Sequence, residues 1–202
     1  MLECKNSNFV WITFDRYVFH LQNDLSVCIL HIPPENSTYT QSQGDQFNIL
    51  PEDIMKFNEQ GDILLGDEFN GSVSTLNDFI INDSYDRFCN DDDEYIVDKC
   101  SVRQNQDKVL TARGKHIIDL CIQSRLRLLN GRTPGDTEGK FTLHNSLGSH
   151  TIDYIITSES FLHRINFMKV HNFRKSLYDH CCLSVCFKVN LEVNNNSSSG
   201  KS

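Results

Sequence analysis

Three short stretches hold the residues best suited to chemistry: "GDEFN" at 66–70, "TIDYIITS" at 151–158 and "YDHCCLSV" at 178–185. Each sets polar groups against an apolar run: Asp67, Glu68 and Asn70 in the first, Asp153 in the second, Asp179 and His180 in the third. Carboxylates on strand ends are hard oxygen ligands of the kind that suit Mg²⁺ or Mn²⁺. An Asp in contact with a His orients the imidazole and stabilises its cation. Acids, an amide and an imidazole around a hard metal form a phosphoester-cleaving set. The metal and the imidazolium offset phosphate charge, and a carboxylate takes a proton from water. Taken singly, an Asp or Asn at a strand end is more often a turn residue, so the reading rests on the three stretches together.

The first stretch holds two adjacent acids. Side chains alternate faces in extended backbone, so residues two apart share a face and residues three apart do not. A regular strand therefore sets Glu68 beside Asn70. A bulge that absorbs one residue sets Asp67 there instead.

Groups of this kind need strands that deliver them to a common edge. Strands are expected at 9–15, at 25–32 (ending at Pro33-Pro34, which cannot continue a ladder), at 62–66, at 126–131, and at 140–144, 150–158, 166–171 and 182–189. Phe47, Leu50, Ile54 and Phe57 recur at helical spacing and predict an amphipathic helix capped by Gly61, with Pro51 either kinking it or opening a fresh first turn. Ile117, Leu120 and Cys121 predict a second helix over about 112–125. Residues 37–46 and 83–108 read as loops, and the Asn- and Ser-rich tail 191–202 reads as disordered. Strands interspersed with two helices predict a layered α/β or α+β domain over residues 1–190.

The 202 residues suffice for one domain with a real core, and 39% hydrophobic with 23% charged content is ordinary for a globular protein. No apolar run reaches membrane-spanning length and the N-terminus lacks a secretory pattern, so no membrane role and an intracellular location are expected. The net charge of −8 is uneven: residues 1–98 carry 4 Lys+Arg against 19 Asp+Glu, and residues 99–202 carry 15 against 8. A basic C-terminal half suits a polyanion such as nucleic acid. The acid run at 90–94 reads as a solvated loop. Eight cysteines without a C-x-x-C pair read as free, buried thiols in a reducing compartment.

"LLGDEFN", "TIDYIITS" and "YDHCCLSV", in this order and at these separations, resemble the signatures of the endonuclease/exonuclease/phosphatase family: G-D-x-N, a hydrophobic-D-Y-hydrophobic strand, and S-D-H. "FVWITFD…LSVCILHIPPENS" and "IIDLCIQSRLRLLNGRTPGDTEGKFT" look especially similar to the endonuclease region of non-LTR retrotransposon polyproteins. The resemblance covers about residues 9–189. It implies a four-layer α/β sandwich, of which the chain would be the C-terminal portion, lacking about the first third of such a domain and its metal-binding Glu. It implies phosphodiester hydrolysis of DNA with Mg²⁺ or Mn²⁺, in the nucleus if active, with the rest of a retroelement polyprotein as a possible partner. The alternatives are a non-catalytic remnant of such an endonuclease and a phosphatase acting on a small phosphoester. By the same resemblance, Asp67 or Glu68 with Asn70 would position water and phosphate, and Asp153 would support the histidine. His180 would contact the phosphate, and Asp179 with Glu68 would associate with the metal. His31 stands where the family often has Tyr, and Tyr178 stands where Ser usually precedes Asp-His. The extra residue in "GDEFN" implies weakened or lost activity.

Overall fold

The computed structural model describes residues 2–6, 8–83, 102–174 and 178–189. The expected acidic loop at 90–94 and the expected disordered tail lie outside those residues. The strands are β1 (Leu2–Asn6), β2 (Phe9–Phe14), β3 (Asp24–His31), β4 (Gly61–Glu68), β5 (Leu126–Leu128), β6 (Leu143–Asn145), β7 (Gly148–His150), β8 (Asp153–Ser158), β9 (Ile165–Val170) and β10 (Leu183–Phe187). The helices are α1 (Thr38–Gln43), α2 (Leu50–Asn58) and α3 (Ala112–Gln123). One sheet has the order β1-β2-β3-β4-β8-β5, and β9 with β10 and β6 with β7 form two antiparallel pairs.

Strict alternation of side chains sorts this sheet into two apolar faces. Cys28 and Leu30 of β3, Ile63 and Leu65 of β4, and Tyr154 and Ile156 of β8 pack with Ile54 and Phe57 of α2 and Ile117 and Cys121 of α3. Their neighbours Leu25 and Val27, Leu64 and Ile155 point the other way and pack with Met168 and Val170 of β9 and Leu183 and Val185 of β10. The architecture is mixed α/β, with helices, a large sheet and a two-stranded sheet stacked in that order. The second helical layer of a four-layer sandwich is not formed by the described residues.

β3 and β4 are parallel, and α2 is the crossover that joins them. Pro51 sits in the first turn of α2, followed by Glu52 and Asp53, with Lys56 in the last turn. Proline suits an opening turn because its missing N–H is not needed there, and the charges complement the helix dipole. Pro51 thus opens a fresh turn, and the preceding Gln46–Ile49 form a separate 3-10 turn. Gly61 does not cap the helix, since Glu59 does and Gly61 begins β4. Residues 37–46, expected as loop, contain α1, whose start is capped by Ser37 accepting from the Thr40 backbone N–H. β1 has no counterpart among the expected strands, and the expected strand at 150–158 divides into β7 and β8.

α3 starts at Thr111, whose hydroxyl accepts from the N–H of Gly114. A Cβ on Gly114 would lie 1.9 Å from the carbonyl oxygen of Ser72, so only glycine lets this first turn press on the segment after Asn70. Of the five cysteines whose thiols are described, Cys28, Cys121 and Cys181 are buried and Cys182 and Cys186 are exposed. All five are free, and full burial is confined to the first three.

Candidate active site

β4 runs in unbroken register through its polar end. Asp67 pairs with Leu30 of β3 and Tyr154 of β8, and Glu68 pairs with His31 and Asp153. No bulge absorbs the extra residue. Glu68 therefore shares a face with Asn70, whose side-chain amide donates to Glu68 Oε1 at 2.7 Å and to the Ile32 carbonyl at 2.9 Å. Asp67 is more exposed than Glu68 and has φ of +116°. That value is outside the ordinary strand range for a residue with a Cβ. Glu68, not Asp67, takes the position beside the amide.

The same register brings the other groups in. His31, opposite Glu68 on β3, has Nδ1 2.9 Å from Glu68 Oε2. Asp153 opens β8 across from Glu68. His180 forms an isolated bridge with Leu143 of β6, which holds the segment before β10 over the end of β8. Its Nδ1 lies 3.0 and 3.1 Å from the two oxygens of Asp153, and its Nε2 lies 3.8 Å from Glu68 Oε1. Asp67, Glu68, Asp153 and His180 together line the polar end of a cavity of about 530 Å³. The walls of this cavity are apolar, including Val27, Ile29, Leu64, Ile155 and Val185.

Burial dominates the electrostatics of the pair. It pushes the Asp153 carboxyl up to about 6, against the hydrogen bond from Thr142 and the charge of His180. Burial alone would lower His180, but the charge and hydrogen bond of Asp153, with Glu68 and Asp179 behind them, outweigh it and leave the imidazole raised. Asp67 is also raised, by desolvation first and by Glu68 next, with His31 and His180 opposing. The arrangement is a positioned imidazolium with its carboxylate, facing a second carboxylate held by an amide.

Asp179 is not part of this gathering. Its side chain is exposed and outside the cavity lining, and its carbonyl oxygen accepts from the His144 N–H. The expected association of Asp179 with Glu68 around a metal is therefore not formed. Both Glu68 oxygens are already engaged, and among the described residues no three His, Cys, Asp or Glu side chains gather as ligands. This donor set does not fit a resident Mg²⁺ or Mn²⁺.

Three residues that support the site are not among those expected from the sequence. The buried Thr142 hydroxyl accepts from the N–H groups of Ile152 and Asp153, both at 3.1 Å. Asn130 accepts from the Ile155 N–H and donates to the Asp153 carbonyl. His31 holds the second Glu68 oxygen. For His31 the signal was present, because the last residue of a strand parallel to β4 falls level with its acid. Thr142 and Asn130 carry no such signal, since their partners are fixed only by the tertiary fold.

No protein-family model and no curated protein sequence matches the chain. Solved structures do. NExo, a 3′ phosphatase from Neisseria solved with a product DNA hairpin, matches with a TM-score of 0.56 at 11% identity, over 92% of this chain and 66% of that one. The fold is that of the endonuclease/exonuclease/phosphatase proteins. A protein of that family from Leptotrichia buccalis matches with a TM-score of 0.53 at 14% identity, over 89% of this chain and 52% of that one. The endonuclease domain of TRAS1, a telomere-specific non-LTR retrotransposon, matches with a TM-score of 0.55 at 12% identity, over 93% of this chain and 68% of that one. The chain thus spans from about half to about two-thirds of the length of the structures it resembles. Among the described residues no helix is long and apolar enough to cross a membrane.

Proposed function

We propose that the cleft hydrolyses a phosphodiester of DNA, slowly, in the manner of a retroelement endonuclease domain. One observation carries this reading: Glu68, Asp153 and His180, drawn from three separate segments, line the polar end of one cavity within a nuclease and phosphatase fold, with Asn70 hydrogen-bonded to Glu68. His180, oriented by Asp153, offers a cationic N–H to a phosphate oxygen or to the leaving deoxyribose oxygen. Glu68, steadied by Asn70 and His31, accepts a proton from the attacking water as the new P–O bond forms and the P–O bond to the leaving oxygen breaks. Mg²⁺ or Mn²⁺, expected from the sequence resemblance, has no complete ligand set among the described residues, and no step above passes through it. Without that neutralising charge the rate is low. The likeness to the TRAS1 endonuclease domain supports the retroelement type, and the DNA bound by the Neisseria phosphatase supports a nucleic-acid substrate.

Nicking of supercoiled plasmid by the purified chain, with and without Mg²⁺ or Mn²⁺, tests the reading. Slow nicking that disappears in His180→Ala is expected. Nicking that survives His180→Ala, or turnover of a soluble phosphomonoester in preference to DNA, overturns it. The engagement of both Glu68 oxygens favours a second reading, a chain that binds DNA without cutting it. DNA binding with no nicking under any metal condition selects that reading.

A further inference from the structure

The cleft described above carries Asp67, Glu68 and Asp153 against a single imidazole, so by itself it repels a polyanion. The attraction must come from its surroundings. Tyr178 and Cys182 on the rim also line a second hollow of about 330 Å³, completed by Lys169, His171, Asn172 and Arg174. A third hollow shares His171 and Asn172 with the second and Cys181 with the cleft, and it adds Lys140 and His144. Among the described residues, neither of these two hollows has an acidic residue in its lining, in a chain whose net charge is −8.

The backbone is arranged to present these cations. Lys169 stands on β9 with its side chain outward, between the buried Met168 and Val170. His171 is fixed by its Nε2, 2.9 Å from Ser184 Oγ, and by its N–H donating to the Cys182 carbonyl. The Tyr178 N–H reaches the Arg174 carbonyl, which ties the basic hollow to the segment carrying His180. Lys169 and Arg174 are both exposed. Exposed, flexible cations on a fixed backbone are what a phosphate backbone recruits, because binding there is a long-range electrostatic and counterion-release effect.

We propose that Lys169 and Arg174 hold backbone phosphates of the DNA strand as it leaves the cleft past Tyr178. This assignment rests on the phosphodiester reading and names where its polyanionic substrate is gripped.

The test is equilibrium binding of the full chain to a fluorescently labelled DNA duplex, followed by anisotropy across a range of salt concentrations. It compares wild type, Lys169→Ala/Arg174→Ala, and Lys115→Ala on the exposed face of α3. Each lost phosphate contact lowers the slope of log affinity on log salt by about 0.9. The double variant should therefore lose about 2 from the slope and on the order of tenfold in affinity at low salt, while Lys115→Ala keeps the wild-type slope. Unchanged melting temperatures exclude misfolding as the cause. A double variant with the wild-type slope overturns the assignment and leaves the proposed chemistry standing. A wild-type chain that binds no DNA but turns over a soluble phosphoester overturns both.

Discussion

Thr142→Val is the sharpest test of how the site is built. Thr142 is fully buried, and its hydroxyl uses its whole hydrogen-bonding capacity. Two lone pairs accept from the N–H groups of Ile152 and Asp153, and the hydrogen goes to the Asp153 carboxylate. Valine matches the shape and removes all three bonds, leaving two backbone N–H groups buried and unpaired. Each such group costs about 1–3 kcal/mol, so the variant should lose roughly 2–6 kcal/mol. That is a large part of the ~5–15 kcal/mol typical of a domain. At ~2–4 °C per kcal/mol for a chain of this size, it lowers the melting temperature by roughly 4–24 °C. Urea denaturation and calorimetry measure both quantities. Thr142→Ser keeps the hydroxyl and should cost only about 1 kcal/mol for the missing methyl. Carboxyl NMR gives a second readout: with its hydrogen bond gone, Asp153 should titrate above its value of about 6. A valine variant as stable as the serine one, or an Asp153 titration that does not move, would refute the reasoning.

Other outcomes follow from the same geometry. His180→Ala should reduce DNA nicking by about 10²–10⁴-fold, the usual worth of a positioned acid or base, with melting temperature little changed. Because Glu68 rather than Asp67 faces Asn70, Glu68→Gln should lower the nicking rate on the order of 10²-fold and Asp67→Asn far less. Equal losses would show that both acids act. Nicking should rise as pH passes upward through about 6, where Asp153 ionises and completes the pair with His180. Stability runs the other way for this group. Its folded value of about 6 lies above the ordinary 3.8, so the folded state holds the proton more tightly and its contribution falls as pH climbs from about 4 to about 6. Stability that instead rises across that window in wild type and not in Asp153→Asn would reverse the assignment.

Much of this site is visible in the sequence because strand alternation is a strict code. The two-residue spacing of Glu68 and Asn70 reads directly as a shared face, and the unbroken register of β4 made that reading decisive over the bulge. The strand positions also survive, with ends shifted by one to three residues, as at β5, which stops at Leu128, and at 151–152 between β7 and β8. What stays hidden depends on partners distant in the chain. Asp179 looks like a ligand beside His180, yet neighbours along an irregular segment need not point the same way, and here the carbonyl of Asp179 is spent on His144 while its carboxylate faces solvent. Gly61 looks like a helix cap because it follows an amphipathic run, but the helix closes at Glu59 and the glycine starts β4, its would-be Cβ position 2.3 Å from the Asp24 carbonyl oxygen. The short α1 escapes notice because none of its residues is buried, so no apolar stripe marks it.

The pairing of β4 with β8 has a kinetic side. β3 and β4 can meet through the short α2 crossover, but β8 must find β4 from far along the chain. The Ile63 N–H and the Ser158 hydroxyl it donates to are 95 residues apart. Closing so long a loop before its contacts can form is slow, and it makes the central pairing a late event in folding. His180 lies later still. A ribosome-bound chain that has released β3, α2 and β4 carries Glu68, Asn70 and His31 but neither Asp153 nor His180. The Asp153–His180 contact is thus a marker of completed folding, and hydrogen exchange at the β4–β8 amides should report its arrival.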